Sequence, residues 1–464
     1  MRKLPSLPQE SKSLPTTTKT VYPIVKYDIH LVTLLFGGGY QAGEVDKNHP
    51  IRISAIRGQL RFWWRAIRGA AFTNAYDLRK REVEIFGDTD HASPIKMWVE
   101  QVQGFVHPQS DSLYPRYVFQ DKLTREKCLK DGRFTLCIEY TSNVTPLSEL
   151  ETDINAALWG WINFGGIGMR TRRGCGSLYC TSFSPTERMN ANELMRWLEQ
   201  QLHTFQSDFQ MEDTQREWPI LSGTFTVSRQ AKPILETKVK GEFELGAWKN
   251  IIEAYQKFRQ RKASSNRMGR SAWMEPDVLR HVMGMKETDH DTPFPESKSK
   301  ALIAFPRAQF GLPINTQFKQ DSKLKLDIFF SENADPYPTQ LLPKGKTRLA
   351  SPLILKPIAV SPTQGFSAII VLNQPPLEEV ELHLNPSQKT PKTRTLKQQQ
   401  HWDAVKNRLK ELRITAKHIY PASSDHPTIN YKENPILGYS SAIDAFLNSK
   451  EVRAFCQHST NRKS

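Results

Sequence analysis

KYDIHLVTLLF, Lys26 to Phe36, alternates apolar and polar residues and then turns wholly apolar, as a strand entering a sheet does. GGGYQAG (Gly37–Gly43) follows as a loop, and a helix runs from about Ala55. EVEIFGD and PIKMWVEQV read as short strands around a turn, and RFTLCIEY (Arg133–Tyr140) as another. A second helix follows Thr145 as its cap, with Pro146 at the first helical position. Its Leu147, Leu150, Ile154, Leu158 and Trp161 recur at the three- and four-residue spacings of one buried face. Glycines and arginines close it, and a strand-like run begins at Ser177. Strand, helix, strands, strand, helix, strand is the order of the split βαβ, ferredoxin-like unit, which RNA-recognition motifs also use. It predicts an α+β fold for Lys26 to about Phe183.

The second half is patterned more weakly. GTFTVSR (Gly223–Arg229), LKLDIFF (Leu324–Phe330), SPLILKPIAV (Ser351–Val360) and FSAIIVLN (Phe366–Asn373) read as strands. GAWKNIIEAYQKFRQRK reads as an amphipathic basic helix; WDAVKNRLKEL and SAIDAFLN close the chain as helices. The proline-containing polar run Asn385–Gln400 has the composition of a solvated loop. A polar stretch at Asp208–Glu217 marks the expected boundary. It gives a tail over 1–22, a first domain over 23–207 and a second, with insertions, over 218–464.

Composition narrows the function. A chain of 464 residues is long enough for two cores. No apolar run reaches the length of a membrane span, and the N-terminus lacks the apolar stretch of a signal peptide, which predicts a cytoplasmic protein. The net charge of +16 attracts polyanions at long range. Cys128, Cys137, Cys175, Cys180 and Cys456 are scattered, without the paired short spacings of zinc sites; they predict reduced core thiols, no metal and no cofactor.

Two clusters carry the charge. IRGQLRFWWRAIRGA (Ile56–Ala70) holds four arginines and no acidic residue. On a helix, Arg57, Arg61, Arg65 and Arg68 fall on one stripe, while Ile56, Leu60, Trp63, Ile67 and Ala70 face the sheet and Trp64 sits at the seam. Like charges four residues apart repel by roughly 0.2–0.5 kcal/mol, which an anion lying along the stripe would offset. A solvated basic face is the plain alternative. GGIGMRTRRGCG (Gly165–Gly176) matches neither a P-loop nor a dinucleotide fingerprint. Its glycines free backbone amides to hold anions, and Arg170, Arg172 and Arg173 supply charge; a flexible basic loop is the alternative. In a split βαβ unit this loop approaches the start of the first helix. The two clusters, with Gly38, Gly166 and Gly168 as open backbone and Trp64 as an exposed edge, would then frame a groove for single-stranded RNA.

IRGQLRFWWRAIRG resembles the signature helix of the first RAMP subunit of the Cmr complex, the type III-B CRISPR effector, and GGIGMRTRRGCGSL resembles the glycine-rich loop of the RAMP superfamily. GRSAWMEPDVLR (Gly269–Arg280), FPRAQFGLPI (Phe305–Ile314) and RLASPLILKP (Arg348–Pro357) match the same family in order. The resemblance implies two tandem ferredoxin-like domains, binding of CRISPR RNA near its 3′ end or of single-stranded target RNA, and docking on other RAMP subunits. It implies a ribonucleoprotein of antiviral defence in which this subunit binds and does not cut. It places Arg270, Trp273, Arg280, Arg307 and Arg348 in matched second-domain blocks as weaker candidates for RNA contact, with core and turn elements as the alternative reading of FPRAQFGLPI and RLASPLILKP and core packing as that of Trp273. Some RAMP relatives cleave precursor RNA by acid–base chemistry. The corresponding candidates are His30 and His49, with Asp46 and Glu44 for a magnesium ion; a pure docking scaffold is the third reading.

Overall fold

The computed structural model describes residues 22–41, 43–108, 114–119, 127–141, 146–206, 216–239, 242–262, 271–284, 303–318, 336–385, 396–421 and 434–458. The tail, Thr145, Arg270, the Leu324–Phe330 run and most of the Asn385–Gln400 run lie outside them.

The first half contains β1 (Ile24–Leu31), α1 (Ile53–Ile67), α2 (Ala75–Phe86), β2 (Ile95–Gln103), β3 (Arg133–Tyr140), α3 (Leu147–Phe164), β4 (Leu178–Tyr179) and α4 (Ala191–Gln206). The four strands form an antiparallel sheet in the order β2-β3-β1-β4. Its alternation is that of a sheet covered on one face only: Tyr27, Ile29 and Leu31 are buried, while Lys26 and Asp28 point to solvent. The two central helices, α1 and α3, touch closely at Gly160, where a Cβ would lie 2.6 Å from Ile67 and 3.0 Å from Trp63. That contact explains a glycine in the middle of a helix.

Two local expectations are corrected. EVEIFGD is the end of helix α2, not a strand: Asn74 caps α2 by accepting from Asp77 N, and Leu78, Glu82, Ile85 and Phe86 form its buried face. Pro146 is the cap residue of α3, with Leu147 the first helical residue.

The second half contains β5 (Ile220–Ser228), α5 (Ala247–Arg259), α6 (Glu275–Val282), β6 (Ile314–Thr316), β7 (Thr339–Pro343), β8 (Leu353–Ala359), β9 (Gln364–Asn373), β10 (Glu379–Leu384), α7 (Leu396–Glu411), β11 (Ile414–Thr415), α8 (Ala442–Leu447) and β12 (Cys456–His458). One antiparallel sheet runs β8-β9-β5-β12, with Lys232–Pro233 added beside β9; a smaller one runs β6-β7-β10-β11. Counting only the four strands on its main path, the β5 sheet has the same order as the first: second, third, first, fourth.

The β5 sheet is covered on both faces, which is why SPLILKPIAV is a solid apolar run. Ile354, Ile358, Ala368, Ile370 and Leu372 face the first half and join the core of Trp63, Leu158 and Phe164. Leu353, Leu355 and Ile369 face the other way and join Trp248, Ile251 and Phe258. The layers therefore run sheet, α1 and α3, sheet, α5, and the apolar core crosses the polar stretch at 208–217 without interruption. Among the described residues no helix is long and apolar enough to cross a membrane. All five cysteines are buried free thiols.

Candidate nucleic-acid interface

The stripe of α1 finds its anions within its own chain. Arg65 donates to Glu82 Oε1 at 2.6 Å, and Arg61 pairs with the same oxygen at 2.9 Å. Arg68 donates to Asp153 Oδ1 at 3.0 Å and is buried. Arg57 and Arg61 donate to Phe86 O at 2.7 Å and Gly87 O at 2.6 Å, satisfying carbonyls at the end of α2. Burial, and then Arg61, lowers the pKa of Arg57. The expected open row of guanidinium groups is thus corrected: the repulsion along it is offset by Glu82 of α2 and Asp153 of α3. Trp64 is corrected as well. Rather than an exposed edge it is fully buried, donating from Nε1 to Asp153 Oδ1 at 2.9 Å and packing beside Phe72 and Phe86.

The glycine-rich loop lies against the second half. Gly166 is buried, and a Cβ there would come within 2.6 Å of Gly176 O. Gly176 has φ +64° and would place a Cβ 1.9 Å from Ile167 O. These glycines fold the loop onto itself. Gly168 is exposed and meets the earlier glycine loop: a Cβ on Gly38 would lie 3.3 Å from Gly168 Cα, and Met169 N donates to Phe36 O at 2.7 Å.

The loop arginines reach the free edge of β8. Arg173 donates to Leu353 O at 2.7 Å, and Arg172 donates to Ser351 O. An edge strand's unpaired carbonyls are thereby occupied. Arg173 also lies over the Tyr255 ring at 4.9 Å. Burial, and then the neighbouring Arg173, brings the pKa of Arg172 down to about 10. Trp248 Nε1 donates back to Arg173 O at 2.8 Å. From the other side Lys356, fully buried on β8, donates to Gly165 O at 2.8 Å and Ile162 O at 3.3 Å.

Between this loop, α5 and the Arg307–Gln317 segment lies a groove of about 1260 Å³. Arg116, Arg170, Arg172, Arg173, Arg259 and Arg307 line it, together with Tyr117 and Tyr255. Of the six arginines, among the described residues Arg307 pairs with Glu275 at 3.2 Å and Arg259 feels the same carboxylate, while the other four have no carboxylate partner. The one acidic side chain of the lining, Glu253, is shared with Lys257 at 3.8 Å. Arg116 is exposed, and Arg170 sits half-buried over the Phe36 ring at 5.3 Å, its pKa lowered by burial. A concave surface with clustered, unneutralised guanidinium groups concentrates anions and suits phosphate oxygens.

The structure thus brings Arg170, Arg172, Arg173 and Arg307 to one groove and leaves out Arg57, Arg61, Arg65 and Arg68. Arg280 is corrected from a surface contact to a buried residue, paired with Asp277 at 3.4 Å and lying over Phe318. Trp273 is core, packed at right angles on Phe258 and Phe310. Arg348 is exposed just before the groove residues Leu349–Ser351. Arg116 and Arg259 belong to the groove although neither stands out in the sequence. Arg259 is readable as the charged end of an amphipathic helix, whereas Arg116 sits in a segment with no periodicity.

The histidines considered for acid–base chemistry stand elsewhere. His30 lines a separate small pocket with Asp28, Arg133 and Thr135, its pKa lowered by burial and then by Arg133. Asp46 accepts from Asn48 N at 3.0 Å and His49 N at 2.9 Å, holding the turn before α1. Among the described residues no group of three His, Cys, Asp or Glu side chains is placed to hold a metal ion.

The model of the RAMP superfamily matches residues 28–179, the span that holds most of the first sheet, α1 and the glycine-rich loop. The chain is similar to the CRISPR system Cmr subunit Cmr1-2 of Pyrococcus furiosus, 28% identical over 176 residues, covering 33% of this chain and 92% of that protein. It is also similar to Cmr subunit Cmr1-1 of the same organism, 27% identical over 140 residues, 28% of this chain and 40% of that protein. Among solved structures it is similar to the crystal structure of Cmr1 from Pyrococcus furiosus in its apo form. The TM-score is 0.44 at 16% identity, over 79% of this chain and 91% of that one. A chain of the type III-B Cmr-beta complex bound to cognate target RNA gives a TM-score of 0.43 at 11% identity, over 84% and 99%. The resemblance to the first RAMP subunit of the Cmr complex, read from five sequence blocks, agrees with these matches.

Proposed function

We propose that this chain is an RNA-binding, non-catalytic subunit of a type III-B CRISPR ribonucleoprotein acting in the cytoplasm. It holds CRISPR RNA near its 3′ end, or single-stranded target RNA, and docks on neighbouring RAMP subunits without a metal or cofactor. We further propose that residues 23–207 and 218–464 are two tandem ferredoxin-like units fused through a shared sheet. The repeated strand order supports that division.

One observation carries the RNA reading: four groove arginines, Arg116, Arg170, Arg172 and Arg173, have no carboxylate partner among the described residues. The Cmr1 relatives, which are named as subunits of a CRISPR system, supply its biological setting. Arg116 and Arg170 are the groove cations with the fewest structural duties, so the test falls on them. Wild-type protein is expected to retain single-stranded RNA with affinity falling steeply as salt rises. Arg116→Glu with Arg170→Glu should weaken binding and flatten the log–log salt slope by about 0.7 for each phosphate no longer held. An unchanged slope and affinity in a folded double variant would overturn the assignment.

A further inference from the structure

Two residues after Gly38, which packs on Gly168 of the glycine-rich loop, stands a side chain with no internal task. Tyr40 is 88% exposed, and among the described residues its ring packs on no other ring or guanidinium group. Its hydroxyl lies 3.1 Å from the side-chain amide of Gln41, the adjacent residue.

The loop that displays it is built. Gly39 N donates to Glu44 O at 2.7 Å, and Glu44 N donates to Gln41 O at 3.2 Å, closing the backbone beneath the ring. A Cβ on Gly39 would lie 2.8 Å from Glu44 O, so the closure requires glycine there. The loop is anchored to the glycine-rich loop at Gly38, which packs on Gly168, two residues before the groove residue Arg170. Arg52, itself exposed, donates to Gly38 O from the start of α1.

A lone exposed tyrosine is ordinary. This one is set apart by its surroundings: Gly37, Gly38 and Gly39 precede it and Gly168 lies across from Gly38, so no side chain at those positions shields the ring. Arg52 brings positive charge to Gly38, two residues before it, and Arg170 lies over Phe36 at the start of the same glycine run. An open aromatic face beside clustered guanidinium groups is the arrangement that binds a single strand, phosphates on the cations and a base on the ring. We infer that Tyr40 is a stacking platform for one unpaired nucleobase of the strand whose phosphates occupy the groove. The inference rests on the RNA-binding reading above and adds to it a contact that carries no charge.

The absence of charge makes it separable. Affinity for a fluorescent single-stranded RNA oligomer is measured across a salt series for the full-length wild type, Tyr40→Ala and Tyr40→Trp. Tyr40→Ala should weaken binding by roughly 5- to 150-fold, the range for removing one stacked base, and leave the salt slope unchanged. Tyr40→Trp should restore binding. An oligomer of the same length made of abasic nucleotides should bind wild type and Tyr40→Ala equally. If wild type binds RNA with a steep salt slope and Tyr40→Ala binds equally well, the stacking site is wrong while the groove stands. A flattened slope in Tyr40→Ala would also overturn it, because the defect would then lie in phosphate binding. Failure of the wild type to bind RNA at any salt would remove the groove reading and this one with it.

Discussion

Lys356 of β8 donates its buried ammonium group to the carbonyl oxygen of Gly165, the residue that ends α3, at 2.8 Å. A lysine from the second half thus closes the last turn of a helix in the first, at the root of the glycine-rich loop. The C-terminal carbonyls of a helix carry partial negative charge, which favours a cation there. Burial without a carboxylate opposes that cation and brings the Lys356 pKa down to about 7.

Stability should therefore depend on pH in a particular window. The unfolded chain keeps this lysine protonated to about pH 10.4, while the folded chain releases the proton near 7. Between those values the unfolded state binds more protons, so this residue's contribution rises with pH and is lost progressively as pH falls from about 10.4 to about 7. Chemical denaturation of wild type and Lys356→Met across pH 7.5–9 should show slopes differing by up to about 1.4 kcal/mol per pH unit. Parallel curves would mean that the lysine stays charged in the folded protein.

Asp153 accepts from Trp64, Arg68 and Arg81 while almost wholly buried. Asp153→Ala should cost about 3–5 kcal/mol of unfolding free energy, because it removes the buried carboxylate that Arg68, Arg81 and Trp64 share. The RNA salt slope of the fraction that remains folded should not change. A flattened slope would return the α1 stripe to the RNA site.

Gly176→Ala should be more damaging than any single arginine replacement in the loop. Its φ of +64° disfavours a side chain, and the added Cβ would overlap Ile167 O. Loss of soluble protein, or a large fall in melting temperature, is the expected result; wild-type stability would show that the loop can open without cost.

The shared sheet predicts that the halves do not survive separation. Residues 22–206 expressed alone would expose the faces of α1, α3 and α4 that cover β5, β8 and β9. This fragment should aggregate or bind a hydrophobic dye strongly, and co-expression with residues 216–464 should relieve it. A monomeric fragment with cooperative unfolding would contradict the shared core.

The sequence made local geometry readable and concealed what is distant along the chain. The angular separation of arginines from Ile56, Leu60 and Trp63 on α1 follows from helical periodicity and holds in the structure. The ions that neutralise those arginines do not follow, because Glu82 lies 17 residues from Arg65 and Asp153 lies 85 residues from Arg68. Repulsion within the stripe signalled that an anion was needed, without indicating that the chain supplied it. EVEIFGD misleads because Val83 and Ile85 alternate like a strand, whereas the cap at Asn74 and Asp77 is the better signal. Lys356 is visible as the single charge in an apolar strand, but its helix-capping role depends on α3 lying across that strand. The groove is half legible: Arg170, Arg172 and Arg173 stand out beside their glycines, while Arg116 and Arg259 arrive from other segments.

The sheet that belongs to both halves also sets a schedule for synthesis. The helical layer over α1 and α3 is complete once Gln206 has been made, yet its covering strands end at Asn373. At the ribosome's pace of roughly 5–20 residues per second, that apolar surface waits on the order of 10–30 seconds for its cover. During that interval the nascent first half is a natural client for a chaperone, and slow translation of the segment between the halves would lengthen its exposure.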